Sequence, residues 1–314
     1  MVPGDLPVFM QIAAEQCALQ RADHLVEVLV VPDNRPAGFD ALFDSIKKKW
    51  TNSPMRLVLL NPAEFYLTRR MNNPHLNCWL QFIRGCNAAS SAHLLWHDAD
   101  LFITDKEFLK KHYETCLRQH CAVLGLNEAW DPWYRDHGYP HLTSTWEILV
   151  ELDWVRSFSP WQHRGHDGAV NGKTHTFDIT FLPQCLTPAE KVRRHEGDWG
   201  FVHFNYVIGT YRRFQNSQGA FEDDGFKLLL VRLLIDAYDK SGWSYEVPEF
   251  DRLLRGIQDA SCRVTYLKEE TKKNYPDFRL KFQKLIDSGV AGAQREAVLR
   301  ERIGRFDRAF GWKA

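Results

Sequence analysis

A chain of 314 residues with 44% hydrophobic and 25% charged residues has the make-up of a soluble globular protein, enough for one large domain or two small ones. Forty Lys and Arg are balanced by forty Asp and Glu, so no basic field points to nucleic acid as a partner. Seven cysteines, an odd number with no C-x-x-C pair, fit reduced thiols in a cytoplasmic protein better than a disulfide framework or a zinc site.

The start carries no basic segment followed by an apolar one, so no signal peptide is visible, and no run of 18 apolar residues offers a membrane span. Val2-Pro3 leads directly into a helix over residues 6–20. A strand over 26–31 (VEVLVV) ends in Pro32-Asp33-Asn34, and a helix over 38–49 follows, with Phe39, Leu42, Phe43 and Ile46 at helical spacing. The next strand is 56–60, after which Asn61-Pro62 opens a turn or helix. Asn72-Asn73-Pro74 breaks the chain before a helix over 76–89. A strand at 93–97, a helix over 106–119 capped by Asp105, and a strand at 121–126 complete an alternation that predicts a mainly parallel, doubly wound α/β sheet.

From residue 127 the texture changes. Residues 129–142 are dense in Trp, Tyr, His and Pro without a clear period, the pattern of a long or functional loop. A helix is expected over 145–155, a Gly- and His-rich loop over 159–176, strands over 178–182 and 200–208, and a strong helix within 221–240. The tail from 249 reads as amphipathic helices. The expected organisation is an α/β half over 1–126, a second half of the same domain over 127–248, and a helical extension over 249–314.

The stretch around which the rest is organised is HLLWHDADLFITD, residues 93–105. Its apolar run predicts a buried strand, and carboxylates cannot be left unpaired inside such a core, so Asp98 and Asp100 belong where the strand leaves the sheet. In open α/β sheets ligands bind at the C-terminal strand ends. Residues i and i+2 of an extended segment face one way, so both carboxylates can hold one cation, or one directly and the other through water. With 23 Asp in the chain, chance supplies roughly 1.7 D-x-D triplets, so the context and not the motif carries the weight. A second acidic group, Glu222, Asp223 and Asp224, precedes an apolar helix. These acids are either an N-terminal helix cap or the source of a general base.

Three pieces in this order, VVPDN (30–34), RGCNAASSAHLLWHDAD (84–100) and GTYRRFQNSQGAFEDDGFKLLLVRL (209–233), resemble a GT-A glycosyltransferase of the family-2 kind, over roughly residues 2–235. The resemblance implies a GT-A type fold: a nucleotide-binding α/β half followed by an acceptor-binding half and, here, C-terminal helices. It implies transfer of a sugar, in the hexosyltransferase class, from a nucleotide-diphosphate sugar to a carbohydrate or lipid-linked hydroxyl, with Mn²⁺ or Mg²⁺. It also allows association with the inner face of a membrane. Carried over, Asp33 and Arg84 face the nucleotide, Asp98 the ribose, diphosphate and metal, and Asp100 the metal. Asp223 matches the base, with Glu222 and Asp224 as alternatives. Family members begin with an apolar strand ending in Pro, of which Val2-Pro3 remains, so that strand either lies upstream or is missing from the sheet. Many members place a late His on the metal. No His follows His203, so water or another residue is expected there.

Two rival readings remain. His163, His166 and Asp167, with His195 and His203, could form an imidazole metal site of a hydrolase. Alternatively, Trp130, Trp133, Tyr134, Trp161 and Trp199 could be the stacking platforms of a carbohydrate-binding protein without catalysis.

Overall fold

In the computed structural model the chain alternates strand and helix through its first half and is helical at its end. Residues 1–313 are described, apart from 50–53, 72, 196, 222–224, 258–261 and 267. In chain order the elements are α1 (Pro7–Ala18), β1 (Val28–Val30), α2 (Phe39–Lys49), β2 (Met55–Leu57), α3 (Pro62–Met71), α4 (Pro74–Ala88), β3 (His93–His97), β4 (Leu101–Ile103), α5 (Phe108–Gln119) and β5 (Val123–Gly125). They continue with α6 (Pro132–Asp136), β6 (Glu147–Glu151), α7 (Leu152–Ser157), β7 (His166–Val170), β8 (Lys173–Phe177), α8 (Phe181–Leu186), β9 (Val192–Arg194) and β10 (Phe201–His203). The helices α9 (Val207–Asn216), α10 (Gly225–Tyr238), α11 (Phe250–Gly256), α12 (Glu269–Asp287) and α13 (Ala293–Phe310) close the chain. They form two compact units, one of residues 1–10, 17–99 and 105–200, the other of 11–16, 100–104 and 201–314.

The first unit holds the parallel pair β1–β2 and a four-stranded sheet in the order β3-β6-β5-β9. Strand β6 is antiparallel to both β3 and β5, and β9 is parallel to β5. Three of the four strands therefore run one way with a single reversed strand among them, an α/β sheet as the sequence predicts, with β6 the antiparallel departure from the mainly parallel order expected. Val2 makes a parallel bridge to Pro32, its N–H reaching the Val31 carbonyl at 3.3 Å. The helices start where local chemistry starts them. Asn61 and Glu64 cap each other's backbone N–H groups at 2.9 and 2.8 Å ahead of α3, and the Asn73 side chain accepts from Leu76 N–H at the head of α4. Phe82, Trp96, Tyr134, Ile148, Val150 and Phe181 fill the core between the sheet and its helices.

Three sequence expectations are corrected. Residues 145–155 form β6 followed by the short α7, not one helix. The run Ile148-Leu149-Val150 is buried throughout, and a strand buried on both faces has the continuous apolar pattern of a buried helix. The stretch 159–176 contains the β7–β8 hairpin in place of a loop. Its turn is Asn171-Gly172, with φ of 50° and 74°, the left-handed pair of a two-residue type I′ turn. Residues 178–182 are not a strand: Thr180 turns at φ 66° into α8.

The second unit pairs β4 with β10 in antiparallel register and gathers helices around α10. Most of α10 is buried, including Leu228 to Leu234. Arg232 survives inside this shell because its guanidinium is bound to Asp236 and to Glu249. Phe226, Tyr266, Tyr275, Phe306 and Phe310 pack as an aromatic cluster between α10, α12 and α13. Among the described residues no helix is long and apolar enough to cross a membrane.

Candidate metal and donor site

The two-strand ladder of the second unit sets its chemistry. Leu101 pairs with His203, so Asp100, one residue before Leu101, stands beside the imidazole: Asp100 Oδ1 lies 3.4 Å from His203 Nε2. After His203 the chain takes two successive left-handed residues, Asn205 (φ 53°) and Tyr206 (φ 63°). Such a conformation is costly for a Tyr. It turns the chain into α9 and aims its first N–H, that of Val207, at Asp100 Oδ2, 2.7 Å away. The Phe204 N–H donates to the Asp100 carbonyl at 3.2 Å. Asp100 is only 3% exposed and His203 9%. Burial alone would push the Asp100 carboxyl upward; the neighbouring His203 and the Val207 N–H outweigh it and hold it below the usual carboxylate range.

Asp98 closes β3 in the first unit, its N–H donating to the Trp146 carbonyl at 2.9 Å. Ala99 alone separates it from Asp100, so its nearness is set by the chain itself. The ligand atoms of Asp98, Asp100 and His203 all lie within 4.8 Å of one another. Two carboxylates and an imidazole, one carboxylate buried and kept ionised, make a donor set that suits Mn²⁺ or Mg²⁺. The sequence reading counted His203 only with the other histidines. The available signal was its place in the apolar run Phe201-Val202-His203-Phe204, where a buried imidazole needs a polar partner.

The nucleotide-facing candidates sit in the first unit. Asp33 comes after the end of β1 and accepts the Gly4 N–H at 3.0 Å. Arg84 Nε donates to Glu64 Oε2 at 2.7 Å, tying α4 to α3. Beyond the C-terminal ends of the parallel strands β1 and β2 lies a cavity of about 620 Å³, lined among others by Pro32, Gly38, Leu59, Leu60 and Phe65. Glu222, Asp223 and Asp224 lie outside the described residues. On one side of them Phe221 is pinned to Arg263 and Thr265 by backbone hydrogen bonds; on the other the Gly225 carbonyl accepts from Tyr266 OH at 3.1 Å.

The imidazole-rich stretch is not assembled as a metal site. His163 is fully buried, and its Nε2 donates to the Val155 carbonyl at 2.9 Å, among the rings of Phe82, Trp154 and Phe158. Asp167 accepts from Thr176 at 2.6 Å across the hairpin, and His166 Nδ1 contacts the Arg164 carbonyl. Among the described residues, Asp98, Asp100 and His203 are the group of such side chains close enough to share an ion.

No protein-family model matches the chain, and no curated protein matches it. Solved structures it is similar to include glycosyltransferases. One is a mannosyltransferase from Pyrobaculum calidifontis in complex with GDP-Man and Mn²⁺, at a TM-score of 0.46 and 11% identity over 98% of this chain and 78% of that one. Another is residues 1–349 of S. aureus TarS, at a TM-score of 0.42 and 10% identity over 98% of this chain and 87% of that one. The likeness is loose, so the function has to rest on the chemistry of the site itself.

Proposed function

We propose that the protein is a metal-dependent glycosyltransferase that moves a sugar from a nucleotide-diphosphate sugar to a hydroxyl acceptor. The observation that carries this reading is the buried Asp100 carboxylate beside His203, with Asp98 two residues before it. In this reading Asp98, Asp100 and His203 hold Mn²⁺ or Mg²⁺. When bound, the ion supplies positive charge where the departing diphosphate gathers negative charge. The cavity at the ends of β1 and β2 takes the nucleoside, its size being ordinary for a ligand pocket and its place the usual one in an α/β sheet. One of Glu222, Asp223 and Asp224 takes the proton from the attacking hydroxyl as its oxygen bonds to the sugar and the bond to the diphosphate breaks, in an inverting displacement.

Calorimetric titration of GDP and UDP tests the reading. It expects binding of one nucleotide that is strong with Mn²⁺ and at least tenfold weaker after EDTA. Equal affinity in both conditions overturns it. A carbohydrate binder without catalysis is the second reading, favoured by the exposed indoles of Trp130 and Trp161. Slow hydrolysis of the donor sugar separates the two, because a binder leaves the donor intact.

A further inference from the structure

Of five aromatic residues in the polar segments, three are spent on structure. Tyr134 and Trp199 are buried, and Trp133 is stacked flat against His175 at 4.0 Å and His137 at 4.3 Å. Trp130 and Trp161 remain, 68% and 54% exposed, and both are held in place. The Trp130 side chain is hydrogen-bonded to the Asp178 carboxylate, which also lies 3.4 Å from His75 Nδ1 and accepts the Ile179 N–H at 2.7 Å. Trp161 meets Trp79 edge-on at 6.3 Å, and the Arg164 guanidinium stands over both indoles, 4.5 Å from the first and 5.8 Å from the second. The Trp79 indole N–H is fixed on the Pro160 carbonyl at 2.7 Å.

His75 and Trp79 are four residues apart on α4 and therefore neighbours on one helix face, about 6 Å along the axis. They join the two anchored indoles into one strip: Trp130, Asp178, His75, Trp79, Arg164, Trp161. Every member belongs to the first unit.

We infer that this strip binds a glycan chain of several pyranose rings, as the outer part of the acceptor. A pyranose has one face of C–H groups, which settles on an indole, and a rim of paired hydroxyls. A carboxylate, an imidazole and a guanidinium between the indoles supply the acceptors and forked donors that such hydroxyls need. Indoles already held, Trp130 by Asp178 and Trp161 by the Trp79 ring and the Arg164 guanidinium, lose little freedom when the chain docks. The assignment to the acceptor rests on the transferase reading; the binding of glycan does not.

The test is an array of tethered oligosaccharides of glucose, mannose, galactose, xylose and N-acetylglucosamine, one to six units long, probed with the labelled full chain. The expected result is retention on at least one series, rising with chain length. Trp130→Ala and Trp161→Ala should each weaken it at least tenfold, Trp161→Phe less, and Leu280→Ala, at an exposed residue of the second unit, not at all. The same Trp variants should bind GDP or UDP with Mn²⁺ as the wild type does, which shows that they fold. Retention without any metal-dependent nucleotide binding would sink the transferase reading and leave the strip standing. No retention on any series, or retention indifferent to both Trp→Ala changes, overturns the strip.

Discussion

The Asp100 carboxylate does two things that two substitutions can separate. Its Oδ2 takes the Val207 N–H at the head of α9, and its Oδ1 faces His203. Asparagine keeps an oxygen for the helix but gives up the charge; alanine gives up both. A hydrogen bond to a charged group is worth about 1.5–3 kcal/mol, and loss of a cap costs about 1 kcal/mol. The two figures describe the same contact here, so they are not added. At a bond of 2.7 Å on a residue 3% exposed, Asp100→Ala is expected to destabilise the fold by about 2 kcal/mol. Asp100→Asn should cost less than about 1 kcal/mol, since the helix N–H keeps its partner. Binding of Mn²⁺ should fall at least tenfold in both. Urea titration gives the stabilities, and calorimetry with Mn²⁺ alone gives the affinities. An Asp100→Asn protein that binds Mn²⁺ as tightly as the wild type would refute the metal role. An alanine variant as stable as the wild type would refute the cap.

Asp223→Asn should lower kcat at least about 100-fold with donor affinity little changed, read by steady-state kinetics and nucleotide titration; if only Glu222→Gln or Asp224→Asn does so, the base is that residue. Burial holds His163 below its ordinary value near 6.5, with the Val155 carbonyl opposing weakly, so the unfolded chain takes up the proton first. Its contribution is therefore complete above about pH 6.5 and lost as the pH falls, and His163→Phe should flatten the decline of the urea midpoint between pH 7 and 5; an unchanged slope counts against the linkage. A Cβ on Gly125 would stand 1.9 Å from Thr143 Oγ1, so Gly125→Ala should cost about 1–3 kcal/mol in urea melts. Gly172→Val should cost about 1–2 kcal/mol by the same measurement, because φ of 74° is a left-handed conformation that a branched side chain resists.

The sequence was most informative where a single pattern dominated. The D-x-D turn, the helix of residues 39–49 and the buried α10 were all legible from apolar spacing and from acids set against it. Strand β6 was not, because full burial erases the alternation that marks a strand. The hairpin was legible in principle: Asn171-Gly172 is a strong turn signal, but the surrounding Gly and His disguised its strands as a loop. His203 was hidden for a different reason. Its partner Asp100 lies about a hundred residues earlier, and only the pairing of β4 with β10 makes them neighbours. The exposure that sets Trp130 and Trp161 apart from Tyr134 and Trp199 likewise comes from packing across the fold, not from local composition.

Strand β6 has a consequence for how the protein can be made. It lies between β3 and β5, yet it leaves the ribosome after both. Among the described residues, β3 has no other ladder partner. The strand that carries Asp98 therefore stays an open edge, with an apolar face exposed, until residue 151 has emerged. A fragment ending at β5 would keep every residue up to the D-x-D turn and still lack the strand that fastens it. It is expected to aggregate, whereas a fragment carried past β9 can close the four-stranded sheet.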